Sequence, residues 1–448
     1  MPTVSKVYLG NLQLLGGGSY SSSANFTRPA DWLPLPAAPS DGVRALHAVF
    51  NSPSNFCSIR CQNAFSVDWG DGTPVQNYAS NTTVNYNYNW NNIDPTTLTS
   101  AGYRQVIVTI TPQAGQLLTL VSLSEKHNQA GLTNNYSSGW LDINMDLPNL
   151  ISGSARLFIG SSTVRSSFLK RVNIKRWGNM NTLANVFLRC RELESLNETE
   201  WVTNNITNFS AVFSGCESLK TLDCRNWVTT NATNFTDMFR TCSSLVRIEG
   251  LENFDTRNVT TFASMFSSSP VLFSDREELN LNSWNTSKVT SLNSMFLTNA
   301  GLRRLKIDQW DTSKVTDLST FVSGASGLES LDISNWSLPL CTTVSNIFQN
   351  CFSLRDVKLP SLAAVTNFGT SFAASANNLS SFSFPAGGIN ATINLSSCVF
   401  DSTTLNSIYT NLSTTGSGKT ITVTGNYGTS GDNVSIATAK GWTVVPNP

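Results

Sequence analysis

Leu302-Arg303-Arg304-Leu305-Lys306-Ile307-Asp308-Gln309-Trp310, running on through Asp311-Thr312-Ser313-Lys314-Val315-Thr316-Asp317-Leu318 to Phe321-Val322, is the stretch whose reading decides the fold. Its first half alternates apolar and polar side chains from Leu305, the period-two pattern of a short strand. The second half spaces Val315, Leu318, Phe321 and Val322 at three and four, which predicts one or two helical turns. Thr312, Ser313 and Asp317 then serve as capping or turn residues. A unit this small cannot bury its own apolar face, so it must stack on copies of itself.

The copies are present. Val186-Phe187, Val212-Phe213, Met238-Phe239, Met265-Phe266, Met295-Phe296, Phe321-Val322, Ile347-Phe348 and Ser371-Phe372 align, with second members 26, 26, 27, 30, 26, 26 and 24 residues apart. A leucine follows six later in most units (Leu193, Leu219, Leu245, Leu302, Leu328, Leu354, Leu379), and another apolar residue three beyond that. An aromatic closes most of them: Trp177, Trp201, Trp227, Phe254, Trp284, Trp310 and Trp336. Cys190, Cys216, Cys242 and Cys351 share one column with Ser269, Asn299, Ala325 and Ser375, so that column is restricted to small side chains. The expected fold class is mixed α/β: a leucine-rich-repeat solenoid of parallel strands and short helices, preceded by a β-sandwich. The expected divisions are an anchoring arm over 1–44, a sandwich over 45–125, a solenoid cap over 126–164, repeats over 165–385 and a C-terminal cap over 386–448.

Trp284-Asn285-Thr286-Ser287-Lys288-Val289-Thr290 and Trp310-Asp311-Thr312-Ser313-Lys314-Val315-Thr316 resemble BspA-type leucine-rich repeats of bacterial surface antigens, mycoplasma lipoproteins and bacteriophage structural proteins. Val67-Asp68-Trp69-Gly70-Asp71-Gly72-Thr73 resembles the hallmark of PKD-like β-sandwich domains, whose role is adhesion or spacing. Together with the opening Val7-Tyr8-Leu9-Gly10-Asn11 and the ending Lys440-Gly441-Trp442-Thr443-Val444, the combination is similar to bacteriophage virion proteins. The resemblance implies a non-enzymatic virion component, a tail- or fibre-associated adhesin. A capsid decoration protein, a bacterial surface adhesin and a polysaccharide depolymerase are the alternatives. Its implied partners are other virion proteins, through the arm, and a host-surface protein or glycan, through the solenoid. Multiple copies on the particle, or a homo-oligomer, are expected.

Composition narrows the classes. Lys+Arg and Asp+Glu both total 29, and only 13% of residues are charged. Such a chain has no broad field for nucleic acid or an anionic membrane. No run approaches the ~20 apolar residues of a membrane helix, and Met1 to Lys6 does not open a secretory signal. Nine cysteines cannot all pair with one another, and reduced, buried thiols are expected.

Chemistry finds little purchase in the sequence, and no cofactor, metal or catalytic residue is assigned. His47 and His127 are the two histidines, and neither sits in a nucleophile-elbow setting. Asp68 and Asp71 lack the further carboxylates of a tight calcium loop and read as turn caps. Asp223, Glu249, Asp308, Asp332 and Asp356 are the carboxylates from which a depolymerase would draw its pair. The aromatic column reads as a structural ladder, with sugar stacking as the competing use. What remains is the outward row of the repeat strands: Thr221, Asp223, Arg225, Arg247, Glu249, Arg304, Lys306, Asp308, Asp332, Asp356 and Lys358, the expected binding face.

Overall fold

A computed structural model describes residues 26–52, 55–125, 138–152, 157–160, 168–369, 378–415 and 417–445. The chain begins as two sheets facing each other. Strands β1 (Gly42–Val49), β2 (Phe56–Gln62), β3 (Phe65–Asp68), β4 (Gln76–Tyr78), β5 (Thr83–Asn87), β6 (Arg104–Pro112), β7 (Leu120–Ser122), β8 (Trp140–Asp146), β9 (Leu157–Phe158), β10 (Arg171–Ile174) and β11 (Ser195–Leu196) build them. One sheet runs β11-β10-β8-β1-β6-β3-β4 and the other β5-β2-β7-β9. Alternate residues of β1, β3 and β6 (Val43, Ala45, Val67, Val108, Ile110) and of β2 and β7 (Cys57, Ile59, Cys61, Val121) fill the space between.

β1 is almost wholly buried on both faces because a third layer covers its outside. Residues 26–38 lie there as an extended segment, with Trp32, Leu33 and Leu35 packed on Leu46, Ala48, Tyr103 and Leu141. Arg28 Nε donates to Asp142 Oδ2 at 3.0 Å, and Trp32 Nε1 donates to the Tyr103 hydroxyl at 2.9 Å. The described part of the expected arm therefore grips its own sheet. Residues 1–25, with Val7 to Asn11, lie outside the described residues, as does His127.

β8 falls within the segment expected as a cap, yet it is a central strand. It pairs antiparallel with β1 and parallel with β10, in the register Arg171↔Asp142 through Ile174↔Met145. The sandwich thus runs into the solenoid through one continuous sheet and one continuous core. From β10 onward the chain winds about eleven turns. After β10 and β11, the turns contribute two- or three-residue parallel strands: β12 (Thr221–Asp223), β13 (Arg247–Glu249), β14 (Leu279–Asn280), β15 (Leu305–Lys306), β16 (Ser330–Asp332), β17 (Asp356–Lys358), β18 (Ser381–Ser383), β19 (Ile393–Asn394), β20 (Thr420–Thr422) and β21 (Thr443–Val445).

The repeats differ from expectation in one respect: among the described residues no helix forms over Val315 to Val322 or its equivalents. Leu318 to Phe321 and Val322 to Ala325 are instead two successive β-turns, closed by Phe321 N–H to Leu318 C=O at 3.3 Å and Ala325 N–H to Val322 C=O at 2.9 Å. Their third residues, Thr320 and Gly324, take positive φ. Pairs of positive-φ residues four apart recur at Asn185/Arg189, Ala211/Gly215, Asp237/Thr241, Ser264/Ser268, Ser294/Thr298 and Asn346/Asn350. Two four-residue turns space apolar residues at three and four just as a helix does, which is why the sequence pattern misleads. The left-handed residues break helical continuation. They also free alternate N–H groups to reach the next coil: those of Leu292, Ser294, Phe296 and Thr298 donate to the carbonyls of Asp317, Ser319, Phe321 and Ser323. The repeat region is therefore a strand-and-turn solenoid rather than mixed α/β.

Side chains tie the coils as well. Thr203, Thr229, Thr256, Thr286 and Thr312 are buried and donate to the backbone carbonyls of Val228, Asp255, Asn285, Asp311 and Ser337 on the next coil, at 2.9–3.2 Å. Four residues on, Thr207, Thr233, Thr260, Thr290 and Thr316 donate the other way, to the coil before. Asn208, Asn234 and Asp317 accept from the N–H two residues later, at 2.8–2.9 Å, and launch the turn pair. The chain's wealth of Ser, Thr and Asn is thus largely spent between coils.

The aromatic column is a ladder. Trp201–Trp227, Trp227–Phe254, Phe254–Trp284, Trp284–Trp310 and Trp310–Trp336 stack with ring centroids 5.6–6.5 Å apart and interplanar angles of 3–20°. The indole N–H groups of Trp284, Trp310 and Trp336 donate back to Leu251, Leu281 and Ile307 carbonyls at 2.9–3.0 Å. The small-residue column works the same way: Cys216, Cys242 and Cys351 thiols and the Ser269 hydroxyl donate to carbonyls of the preceding coil. All nine cysteines are buried and none is disulfide-bonded.

The last segment continues the stack with helices on its outside, α1 (Ser402–Asn411) and α2 (Ser435–Thr438). β19, β20 and β21 pair in parallel, and Trp442 Nε1 donates to Ser413 C=O at 2.9 Å, as the ladder tryptophans do.

Candidate ligand-binding surfaces

Parallel pairing brings the expected binding residues together. Thr221 lies opposite Arg247 and Asp223 opposite Glu249. Asn280 lies opposite Lys306, and Arg304 bridges to Ser330, which lies opposite Asp356, while Asp332 lies opposite Lys358. The eleven residues therefore sit in adjoining rows on one face, with Leu222, Ile248, Leu305, Leu331 and Val357 pointing into the core.

Most of these charges are already matched. Arg225 covers Asp223 through Nε at 2.9 Å, so Asp223 is buried rather than displayed, and its carboxyl is held below the usual carboxylate range. Arg247 reaches Glu249 at 3.0 Å and also pairs with Asp275; burial disfavours its charge, but the two carboxylates outweigh that and raise its pKa. Arg304 lies 3.2 Å from Glu277 and 3.7 Å from Glu329. Lys358 donates to Asp332 at 3.0 Å, which raises the lysine. Burial pushes Asp332 up, but hydrogen bonds from Ser334 and Lys358 leave it lowered. Asp308 accepts from Asn282 at 2.8 Å and Gln309 at 2.7 Å and is lowered too. Lys306 is exposed and Asp356 half-buried in the same rows. A carboxyl serving as general acid needs its pKa raised. The shifts at Asp223, Asp308 and Asp332 go the other way.

The aromatic ladder offers no ring face to a sugar, since Trp227, Trp284, Trp310 and Trp336 are 3–5% exposed and stacked on their neighbours. His47 is buried in β1, accepting from Gly139 N–H at 3.0 Å, and burial depresses its pKa to about 3. Asp68 accepts from Gly70 N–H at 3.0 Å and Asp71 from Thr73 N–H at 3.1 Å, so both cap the tight turn that positive φ at Gly70 and Gly72 allows.

A second surface was not singled out by the sequence. At the join of sandwich and solenoid, a half-open cleft of about 350 Å³ is lined by Pro148, Ile174, Lys175, Arg176, Trp177, Gly178, Asn179, Glu200, Trp201 and Val202. Arg176 forms a two-pronged pair with Asp146, Nε to Oδ1 at 2.6 Å and Nη2 to Oδ2 at 2.8 Å, and Lys175 adds a contact at 3.3 Å. The sequence signal is Val202, an apolar residue after the ladder tryptophan; Val228 repeats it on the next coil, and the coils beyond carry Asp255, Asn285, Asp311 and Ser337 there.

A sequence model of the family described as "Mycoplasma protein of unknown function, DUF285" matches residues 181–280 and 270–383, just under half of the chain. The repeat segment is similar to that family and agrees with a repeat surface protein. No curated protein matches. Among solved structures, a chain of the Toll–Spatzle complex, a molecular hub in Drosophila development and innate immunity, matches at 15% identity and a TM-score of 0.24. The match covers 63% of this chain and 45% of that one, so this chain spans less than half of its length.

Proposed function

We propose that this protein is a non-enzymatic display scaffold that binds a host-surface protein or glycan, carried on a bacteriophage particle as a tail- or fibre-associated adhesin. The observation that carries the reading is the strand face: polar side chains from successive coils, in register, with most of their charges paired before any partner arrives. Such a surface is preorganised, so little side-chain order is lost on contact. Its neutrality favours neutral polar partners over nucleic acid. The downward shifts at Asp223, Asp308 and Asp332 favour binding over glycoside cleavage. The PKD-like resemblance of the sandwich supports a spacing role, and the virion setting rests on the resemblance of the whole combination to phage proteins. Attachment to other virion proteins belongs to the same reading.

The test incubates the intact purified protein with host cells and with isolated envelope polysaccharide, from about 50 to 200 mM salt. Saturable, nearly salt-independent retention is expected. Release of reducing ends, or retention lost steeply with salt, overturns the reading. Labelling the protein on intact particles tests the setting, and its absence there favours the bacterial-surface alternative, which the mycoplasma description of the matching family supports.

A further inference from the structure

We infer that the cleft at the sandwich–solenoid join is a glycan subsite that takes one or two neutral sugar rings; this deepens the adhesin reading and rests on it. Three observations separate this place from the rest of the ladder. Trp177 and Trp201 meet at 4.9 Å with a 58° tilt, whereas the later rungs lie within 3–20° of parallel. The Trp177 indole N–H goes forward, to Val202 C=O at 3.1 Å, where the later tryptophans donate backward. The cleft lies against this tilted pair, with Trp177 and Trp201 both in its lining. Third, Val202 is 69% exposed, well above the 45% of Val228, its counterpart on the next coil.

The lining chemistry suits a sugar. Val202 and the partly exposed Pro148 give an apolar wall for ring C–H groups, over the buried Ile174, Trp177 and Trp201. Around it stand Arg176, Lys175 and Asn179 as donors and Glu200 as acceptor. Hydroxyl groups donate and accept at once, so one ring can use both kinds. Arg176 and Lys175 are balanced by Asp146 and Glu200, which argues for a neutral rather than an acidic sugar. About 350 Å³ lies at the small end of ligand sites, on the scale of a glycan tip rather than a long chain.

The test screens intact protein against an array of neutral and acidic glycans, then measures the best binder by calorimetry with variants Val202→Glu, Glu200→Ala, Arg304→Ala and Lys306→Ala. Denaturation midpoints confirm folding. Val202→Glu and Glu200→Ala should each weaken binding of the best glycan at least tenfold, and by more than Arg304→Ala or Lys306→Ala does. Glycan binding that ignores Val202 and Glu200 but falls with the strand-face variants overturns the subsite and leaves the adhesin reading standing. Binding confined to acidic glycans overturns the neutral-sugar assignment. Host cells bound with no glycan bound at all overturns the subsite alone, and neither bound overturns both.

Discussion

Replacing Trp310 with alanine tests the solenoid most directly. The side chain is 3% exposed and stacked between Trp284 at 6.2 Å and Trp336 at 5.9 Å. Emptying a buried tryptophan site costs about 3–5 kcal/mol. Three aromatic contacts, to Trp284, Trp336 and Phe262, are lost with it, each worth about 0.5–1.5 kcal/mol beyond area. Leu281 C=O also loses its donor at 2.9 Å, about 1 kcal/mol. These terms overlap, so a local cost near 5 kcal/mol is expected. In a quasi-one-dimensional array that cost falls on the coil and its two neighbours rather than on the whole chain. Amide hydrogen exchange is therefore the assay: protection should collapse across residues 284–336 and persist in β1 and β6. Trp336→Ala, which loses parallel stacking on Trp310 and an edge contact with Phe321, should cost less. A local loss below about 1.5 kcal/mol, or exchange rising evenly along the chain, would refute the ladder as the source of stability.

Thr241→Gly discriminates turn from helix by sign: a β-branched residue at φ +58° is strained, so glycine should stabilise by about 0.5–1 kcal/mol in urea melts, whereas in a helix it would destabilise by about 1. Asn299 is fully buried in the small-residue column with neither amide atom hydrogen-bonded. Asn299→Ser, copying Ser269, should therefore gain about 1–3 kcal/mol, and a loss in the same melts would contradict the column. His47 is held neutral with a pKa of about 3 against ~6.5 when unfolded, so between these values the unfolded chain binds the extra proton. Its contribution is intact above pH 6.5 and declines as pH falls, by about 1.4 kcal/mol per unit and about 2 kcal/mol by pH 5. His47→Gln should flatten that slope relative to wild type, and parallel profiles would rule the histidine out.

The strand columns were legible because burial demands the same residue type at the same depth in every coil, as at Leu222, Ile248 and Leu305. The tryptophan ladder followed from the same period, and so did pairs 26 residues apart such as Asp332 and Lys358. What stayed hidden is what periodicity cannot resolve. Successive turns and a helix share the spacing of Val315, Leu318, Phe321 and Val322, and only a positive φ at Thr320, invisible in a threonine, separates them. β8 was assigned to a cap because its sequence, Trp140-Leu141-Asp142-Ile143-Asn144-Met145-Asp146, carries no repeat mark, although its alternation suits a sheet. Asp223 read as exposed, but Arg225 two residues on folds over it. The cleft escaped notice because a ring tilt leaves no mark in the sequence, and Val202 beside it is repeated as Val228 on a coil whose rungs are parallel.

The fusion of β8 to β10 has a mechanical consequence. A free-standing stack frays at both ends, but here the sandwich clamps the first coils. Tension pulled through the repeats would be met by shedding turns singly, those farthest from the sandwich first. Each lost turn would lengthen the molecule while the coils beside the clamp stayed folded until last.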